Sequence, residues 1–376
     1  HERGEATVPA RFAEYFSESC ESYEGERFST PIQLVFPYIP AALAMAAARL
    51  FGAGALGALW AGRVANAFFL AVCAYYALSR ARRWRSAIIA AALLPLTLYM
   101  GASLSYDSMF LAAALVFLGN MLAEDFTRRD LVLCCAAFAA MIAIKPVYAP
   151  LALLALALPA PAFEKLKIKR AGALGLFAAS ALVLYLACLG YASLAASGIE
   201  AVGNPSGADV SAQVGYVLQN PLRYAVTLMV DGWMNRFYID QFGAFGWLDA
   251  VCGLTSALTP ALIVAAAALS SDESAKAPKA EGWLFPAVAL LQYAVIVTGF
   301  YCTWSAPGGT SILGVQARYF IPLIPCVLAA LGRAFNKLAG PRAAVDEARR
   351  DTRLIFLCSG FALVSLAELG MVYYLS

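Results

Sequence analysis

Residues 60–100 read WAGRVANAFFLAVCAYYALSRARRWRSAIIAAALLPLTLYM. Two apolar runs flank a knot of four arginines, Arg80, Arg82, Arg83 and Arg85. A transmembrane helix needs about 20 predominantly apolar residues, fewer where neighbours shield it. Four guanidinium groups cannot rest in hydrocarbon, so the chain reaches water between the runs and turns back. The stretch therefore reads as two membrane helices, near 60–78 and 86–100, joined by a basic loop.

Working outward, the same arrangement repeats. Every second polar connector is basic: Arg128 and Arg129; Lys165, Lys167, Lys169 and Arg170; Lys276 and Lys279; Arg333, Lys337, Arg342, Arg349, Arg350 and Arg353. With the first four arginines these are 18 of the 27 Lys and Arg. The connectors between them are poor in basic residues and rich in Asp, Glu, Trp and Tyr. Under the positive-inside rule the basic set faces the cytoplasm and the other set faces outward. Further spans are expected near 108–123, 131–144, 147–162, 171–193, 250–269, 283–301, 318–335 and 354–375. Ten spans carry the chain from outside at residue 1 to outside at Ser376, with every basic loop inside. The predicted fold class is an all-α polytopic transmembrane bundle. The 131–144 run, about 21 Å long as a helix, is expected to pack inside the bundle and to stop short of one interface at Lys145-Pro146.

Composition agrees. Hydrophobic residues make up 62% of the 376 and charged residues 14%, and mean hydropathy is +0.71. Soluble domains run nearer 45–50% apolar and about 25% charged. The net charge of +3 belongs to the inner loops and gives no reason to expect nucleic acid as a partner. His1 is the only histidine, which excludes a His-based metal site or a Ser–His triad. Of the nine cysteines, Cys20, Cys252 and Cys302 lie toward the outer side, where a disulfide is permitted.

Two apolar stretches do not fit as spans. Residues 32–52 carry Pro37, Pro40 and Arg49, and residues 221–234 sit inside the long outer loop. Both are read as helices lying along the outer interface, with a tilted or re-entrant hairpin as the alternative. The parts are a first outer loop with interfacial helix (1–52), a transmembrane module (53–193), a large outer loop (194–249) and a C-terminal transmembrane module (250–376). A preceding transmembrane helix is expected before the acidic stretch that follows His1. No internal repeat of the inverted-repeat transporter kind is evident.

Ionisable groups in or at the outer ends of spans are expensive, and five stand out: Arg63, Asp107, Lys145, Arg318 and Glu368. Each could simply snorkel to water or pair with a neighbour. Asp107 is ringed by Ser103, Ser105, Tyr106 and Ser108, enough hydroxyls to keep a carboxylate ionised. Lys145 precedes Pro146 and is followed by Tyr148, so a helix must break beside a positive charge, which suits an anion such as phosphate. Arg318 adds a planar fork for phosphate oxygens, with Gln316 and Tyr319 beside it. The outer loops carry Trp233, Trp247, Trp304, Tyr238, Tyr301 and Phe245 beside Asp231, Asp240 and Asp249. These rings are either an interfacial belt or a platform for sugar faces, and the glycine-punctuated GAFGWLD stretch favours the platform.

These residues fall into ordered motifs: Pro37-Tyr-x-Pro40 with Arg49-Leu-Phe-Gly52, Gly62-Arg63-Val-Ala-Asn66, Leu104-Ser-Tyr-Asp107, Lys145-Pro-x-Tyr148, Gly246-Trp-Leu-Asp249 and Gly314-Val-Gln-x-Arg-Tyr-Phe320. In this order they resemble the bacterial membrane-protein family catalogued as domain of unknown function 2142, over nearly the whole chain. More distantly the plan is similar to the GT-C glycosyltransferases. That resemblance implies an inner-membrane enzyme using a polyprenyl-phosphate sugar donor and a glycan or lipid-linked acceptor on the outer face, with no soluble cofactor. It implies a carboxylate base, here Asp107 or an acid upstream of His1, which would end that superfamily's Asp-Glu-x-x-His motif. Lys145 and Arg318 would hold the departing phosphate, with Arg63, Tyr148, Gln316, Tyr319, Trp247 and Asp249 as substrate contacts. Rival readings are a lipid-linked glycan polymerase or ligase, and a transporter or flippase of lipid-linked sugars. A cavity that opens at the outer leaflet and stops at mid-membrane would favour the enzyme.

Overall fold

In hydrocarbon every backbone N–H and C=O must find a partner within the protein, and a helix satisfies both locally. The apolar runs accordingly become helices, and the breaks fall where proline or glycine forbids continuation. The computed structural model describes residues 35–195, 209–235, 238–246, 248–273, 277–339 and 346–374.

A single 3-10 turn, Phe36–Tyr38, leads into α1 (Ile39–Leu50), each with a proline at its start, where a missing N–H costs nothing. Gly52, at φ +79°, reverses the chain into α2 (Ala55–Arg80). Met45 of α1 reaches to Gly62 of α2, while Leu43, Leu50 and Phe51 stay exposed for lipid. The expected 86–100 span is two helices, α3 (Arg85–Leu93) and α4 (Pro95–Gly101). Pro95 cannot donate to the α3 ladder, and Leu94 before it is extended (ψ 137°). Next come α5 (Tyr106–Met121), capped by Ser105, and α6 (Arg128–Ile144), opened by a Thr127–Asp130 capping box. After Lys145 the chain continues as a 3-10 segment, Pro146–Ala157, which meets α7 (Ala160–Leu166) at 96°. Pro146 and Pro150 remove the donors an α-helix would need there. The long α8 (Arg170–Ala195) follows.

From residue 209 onward, α9 (Val210–Gln219) and α10 (Pro221–Met229) run into a π-turn, Val230–Asn235. A 3-10 stretch, Tyr238–Gly243, precedes a two-stranded hairpin of β1 (Ala244–Phe245) and β2 (Ala250–Val251). Then come α11 (Gly253–Leu269), α12 (Glu281–Trp304), a 3-10 stretch at Ala317–Leu323, α13 (Ile324–Ala339) and α14 (Glu347–Tyr374).

Among the described residues, five helices are long and apolar enough to cross a membrane unaided: Ala55–Arg80, Arg170–Tyr191, Glu281–Trp304, Ala317–Leu338 and Glu347–Tyr373. The bent pair Pro146–Ala157 with Ala160–Leu166 would make a sixth. The other expected spans are shorter: α5 has 16 residues, and α6 and α11 have 17 each. Of these, α5 is enclosed by protein, whereas α6 and α11 bury one face and leave Val132, Leu254 and Val264 exposed. Ala87 to Ala92 of α3 and nearly all of α5 are buried, and one continuous core runs from Leu70 to Phe361 across both expected transmembrane modules.

Four of the five basic connectors meet at one end, and acidic residues within them tie them together. Arg80 pairs with Asp130 (3.0 Å), Arg83 with Glu281, and Arg85 with Asp351 (2.8 Å). Arg350 pairs with Asp272 (3.0 Å) and Glu273 (2.9 Å). The opposite end carries the α4–α5 turn, the α6 break, the hairpin and the head of the 317–339 span. Glu368 belongs to that end too. Its carboxylate accepts from the Leu254 and Thr255 N–H groups (2.7 and 2.8 Å) and from the Thr255 hydroxyl, so it caps α11 from α14. The paired-neighbour reading of Glu368 is the one observed. Cys252 and Cys302 are free thiols, and Cys20 lies outside the described residues.

Candidate functional site

Three of the five singled-out ionisable residues meet. Lys145 Nζ donates a short hydrogen bond to Asp107 Oδ1, and Arg318 Nη1 lies 3.4 Å from Asp107 Oδ2. Each is delivered by a helix break. Asp107 stands in the first turn of α5, where the Ser105 hydroxyl takes its backbone N–H (3.1 Å) and the helix N-terminus favours negative charge. Lys145 ends α6 because Pro146 follows it. Arg318 occupies the first turn of the 317–323 stretch.

The two breaks are pinned together. Tyr148, fully buried, donates from its hydroxyl to Tyr319 O (2.7 Å) and packs its ring on Phe110 at 4.5 Å between centroids. Gln292 Nε2 caps the Val147 carbonyl freed by the break (2.8 Å). An ion in so little water must be paired, and one carboxylate serves two cations here. The cluster keeps a formal charge of +1.

The two cations differ in access. Around the Lys145 ammonium stand the rings of Tyr319, Phe110 and Tyr106, at 4.5, 4.8 and 5.4 Å, and its side chain is 10% exposed. Cation–π contacts of this kind complete its surroundings. Arg318 is 24% exposed, its Nε finds no acceptor among the described residues, and Met100 Sδ lies 3.8 Å from Nη1. Arg318 is also the one charged residue lining a small pocket that is open to the surface. Leu96, Met100 and Phe245 give this pocket apolar walls, and Gln241 and Gln316 give it polar ones.

Residues 28–327 match the model of a family described as predicted membrane protein, DUF2142. The chain belongs to the DUF2142 family. No curated protein and no solved structure matches it.

In this DUF2142 protein the other sequence-predicted residues are placed as follows. Arg63 donates from Nε to Ala102 O (3.0 Å) and lies over Trp60, while Asn66 donates to Ser103 O (2.7 Å). Together they brace the turn that presents Asp107 and do not line the pocket. Tyr148, expected as a substrate contact, frames the site from the interior through its bond to Tyr319 O. Tyr319 lays its ring beside Lys145 and against Phe300 at 4.8 Å. Gln316 lines the pocket. Asp249 is exposed at the hairpin tip, and its Oδ1 occupies the space where a Cβ on Gly246 would point (2.3 Å). Trp247 lies outside the described residues, as do the side chains of Trp233, Tyr238 and Asp240.

The proposed aromatic platform is corrected at two members. Tyr301 is buried with its hydroxyl on Gly309 O (2.7 Å), and Asp231 is buried, accepting the Ile312 N–H at 2.5 Å. The two bonds fix the loop after α12, one to α12 itself and the other to the π-turn at Val230–Asn235. Sequence reasoning missed Leu96, Met100, Tyr99 and Gln241. The Tyr99 hydroxyl accepts the Gly246 N–H (3.1 Å) and ties the hairpin to α4. No charge or break marks these four, and only the position of Gln241 just before the GAFG turn hinted at it.

Proposed function

We propose that this protein is a membrane glycosyltransferase of the GT-C type, moving a sugar from a polyprenyl phosphate to a cell-surface glycan or lipid-linked acceptor at the outer face. The observation that carries this reading is the meeting of Asp107, Lys145 and Arg318 beside a pocket into which only the Arg318 charge projects. A phosphodiester brings one negative charge and planar pairs of oxygens, which a guanidinium binds in a fork. As phosphate engages Arg318, Asp107 Oδ2 loses its second cation and becomes free to accept a proton.

In the reaction the acceptor hydroxyl oxygen attacks the anomeric carbon. The bond from that carbon to the phosphate oxygen breaks, and its electron pair leaves with the lipid phosphate, held by Arg318. The hydroxyl proton passes to Asp107, while Lys145 keeps the carboxylate aimed. Stabilising charge that develops only on the leaving group lowers the barrier.

The test is a deletion strain complemented with wild-type protein or with Arg318→Ala, its lipid-linked sugars and surface glycans read by mass spectrometry. The deletion and Arg318→Ala should lose the same glycan sugar and accumulate its lipid-phosphate form. Unchanged glycans in the deletion strain would remove the enzyme reading.

A further inference from the structure

We infer that Gln241 reads the sugar joined to the phosphate, an inference that rests on the donor reading above. Gln241 lies on the 3-10 stretch Tyr238–Gly243 and lines the pocket with Arg318. Its Oε1 accepts the backbone N–H of Ala317 at 3.1 Å. Because that partner is a donor, the atom facing it must be the amide oxygen, which fixes the orientation of the carboxamide. The amide nitrogen makes no hydrogen bond among the described residues, and Gln241 and Arg318 line the same pocket.

The pocket thus combines the polar side chains of Gln241, Gln316 and Arg318 with the carbon of Leu96, Met100 and Phe245. A pyranose has matching faces. Its hydroxyls accept hydrogen bonds along the ring edge, and its C–H faces are apolar. A bare lipid phosphate would satisfy Arg318 and leave the Gln241 donor unused. Gln241 bonds the residue before Arg318 and lines the same pocket, so its free donor is assigned to the group attached to the phosphate. The recognised class is therefore a sugar phosphodiester in which an oxygen on the sugar accepts from Gln241 Nε2.

The experiment measures equilibrium binding to the purified full chain in lipid nanodiscs. The probes are farnesyl phosphate and its glucosyl, mannosyl and galactosyl phosphodiesters. Wild type should prefer at least one glycosylated probe, and Arg318→Ala should weaken all of them. Gln241→Leu should weaken the preferred glycosylated probe about three- to tenfold, the size of one neutral hydrogen bond, and leave farnesyl phosphate unchanged. Because Gln241→Leu also removes the partner of Ala317, Gln241→Glu is the second variant. It keeps an acceptor for that N–H but loses the donor, so it should lose the sugar preference too. A preference that survives in Gln241→Glu overturns the role of Gln241 alone. Equal weakening of every probe in Gln241→Leu, with full preference kept in Gln241→Glu, reduces it to a backbone prop. Wild type that binds no probe strikes down the donor reading itself.

Discussion

Asp107 makes two poorly hydrated cations tolerable, and its removal should be felt first in stability. Breaking a buried pair by deleting one partner typically costs about 3–5 kcal/mol. The partial exposure of Arg318 puts Asp107→Asn toward the lower end of that range. Thermal unfolding in detergent should show the loss, and adding Lys145→Met should recover part of it, since the orphaned ammonium goes too. An Asp107→Asn protein that unfolds like wild type would mean that water, not the carboxylate, solvates the pair. A second carboxylate behaves oppositely. Glu273, in the turn after α11, is pushed from 4.5 up to about 7, chiefly by burial, against the lowering pull of Arg350 and Ser86. The folded protein therefore binds that proton more tightly than the unfolded chain does. Its contribution to stability is whole below pH 4.5 and is lost as pH rises through about 7. Glu273→Gln, which mimics the protonated form, should gain stability relative to wild type from about pH 5 to about pH 8. A difference that is flat or falls with pH would contradict this.

Helix contacts made by backbone leave no room for adjustment. A Cβ on Gly119 of α5 would stand 2.6 Å from Ala77 Cα and 2.7 Å from Ala77 O on α2. Small residues permit such approaches where lipid supplies no hydrophobic drive between helices. Gly119→Ala should therefore destabilise by about 1–3 kcal/mol, the usual cost of overpacking. Gly175→Ala on α8, with nothing within 4 Å, should be neutral or stabilising by helix propensity. The pair is to be compared in one unfolding assay, and equal effects would deny that α2 and α5 touch through backbone. The sequence located most helices because apolar runs and Pro or Gly breaks are local signals. It joined α3 and α4 into one span although Pro95 was in plain sight, because a single proline is compatible with a kinked span as well as a broken one. It could not foresee that Glu368 caps α11, because that bond joins residues 113 positions apart.

The two ends of the bundle differ in how they handle charge, and this difference was readable from the alternation of connectors. The basic end spends Asp130, Asp272, Glu273, Glu281 and Asp351 on holding its own arginines. The other end leaves Arg318 facing a pocket. Asp107, Lys145 and Arg318 were legible because ionisable groups beside apolar runs are conspicuous, whereas Met100 and Gln241 carry no such mark. What the alternation predicts beyond the fold is orientation, because lysine and arginine retained on the cytoplasmic side set topology. Asp249 at the hairpin tip and Arg349 at the start of α14 are both exposed and lie at opposite ends. In a background lacking the accessible native cysteines, Asp249→Cys should react with a membrane-impermeant maleimide in intact cells. Arg349→Cys should react only after permeabilisation. The reverse pattern would turn the Asp107 cluster toward the cytoplasm. A sugar carried on the outer leaflet could not then reach Arg318, and the proposed reaction would lose its donor even though the three residues still met.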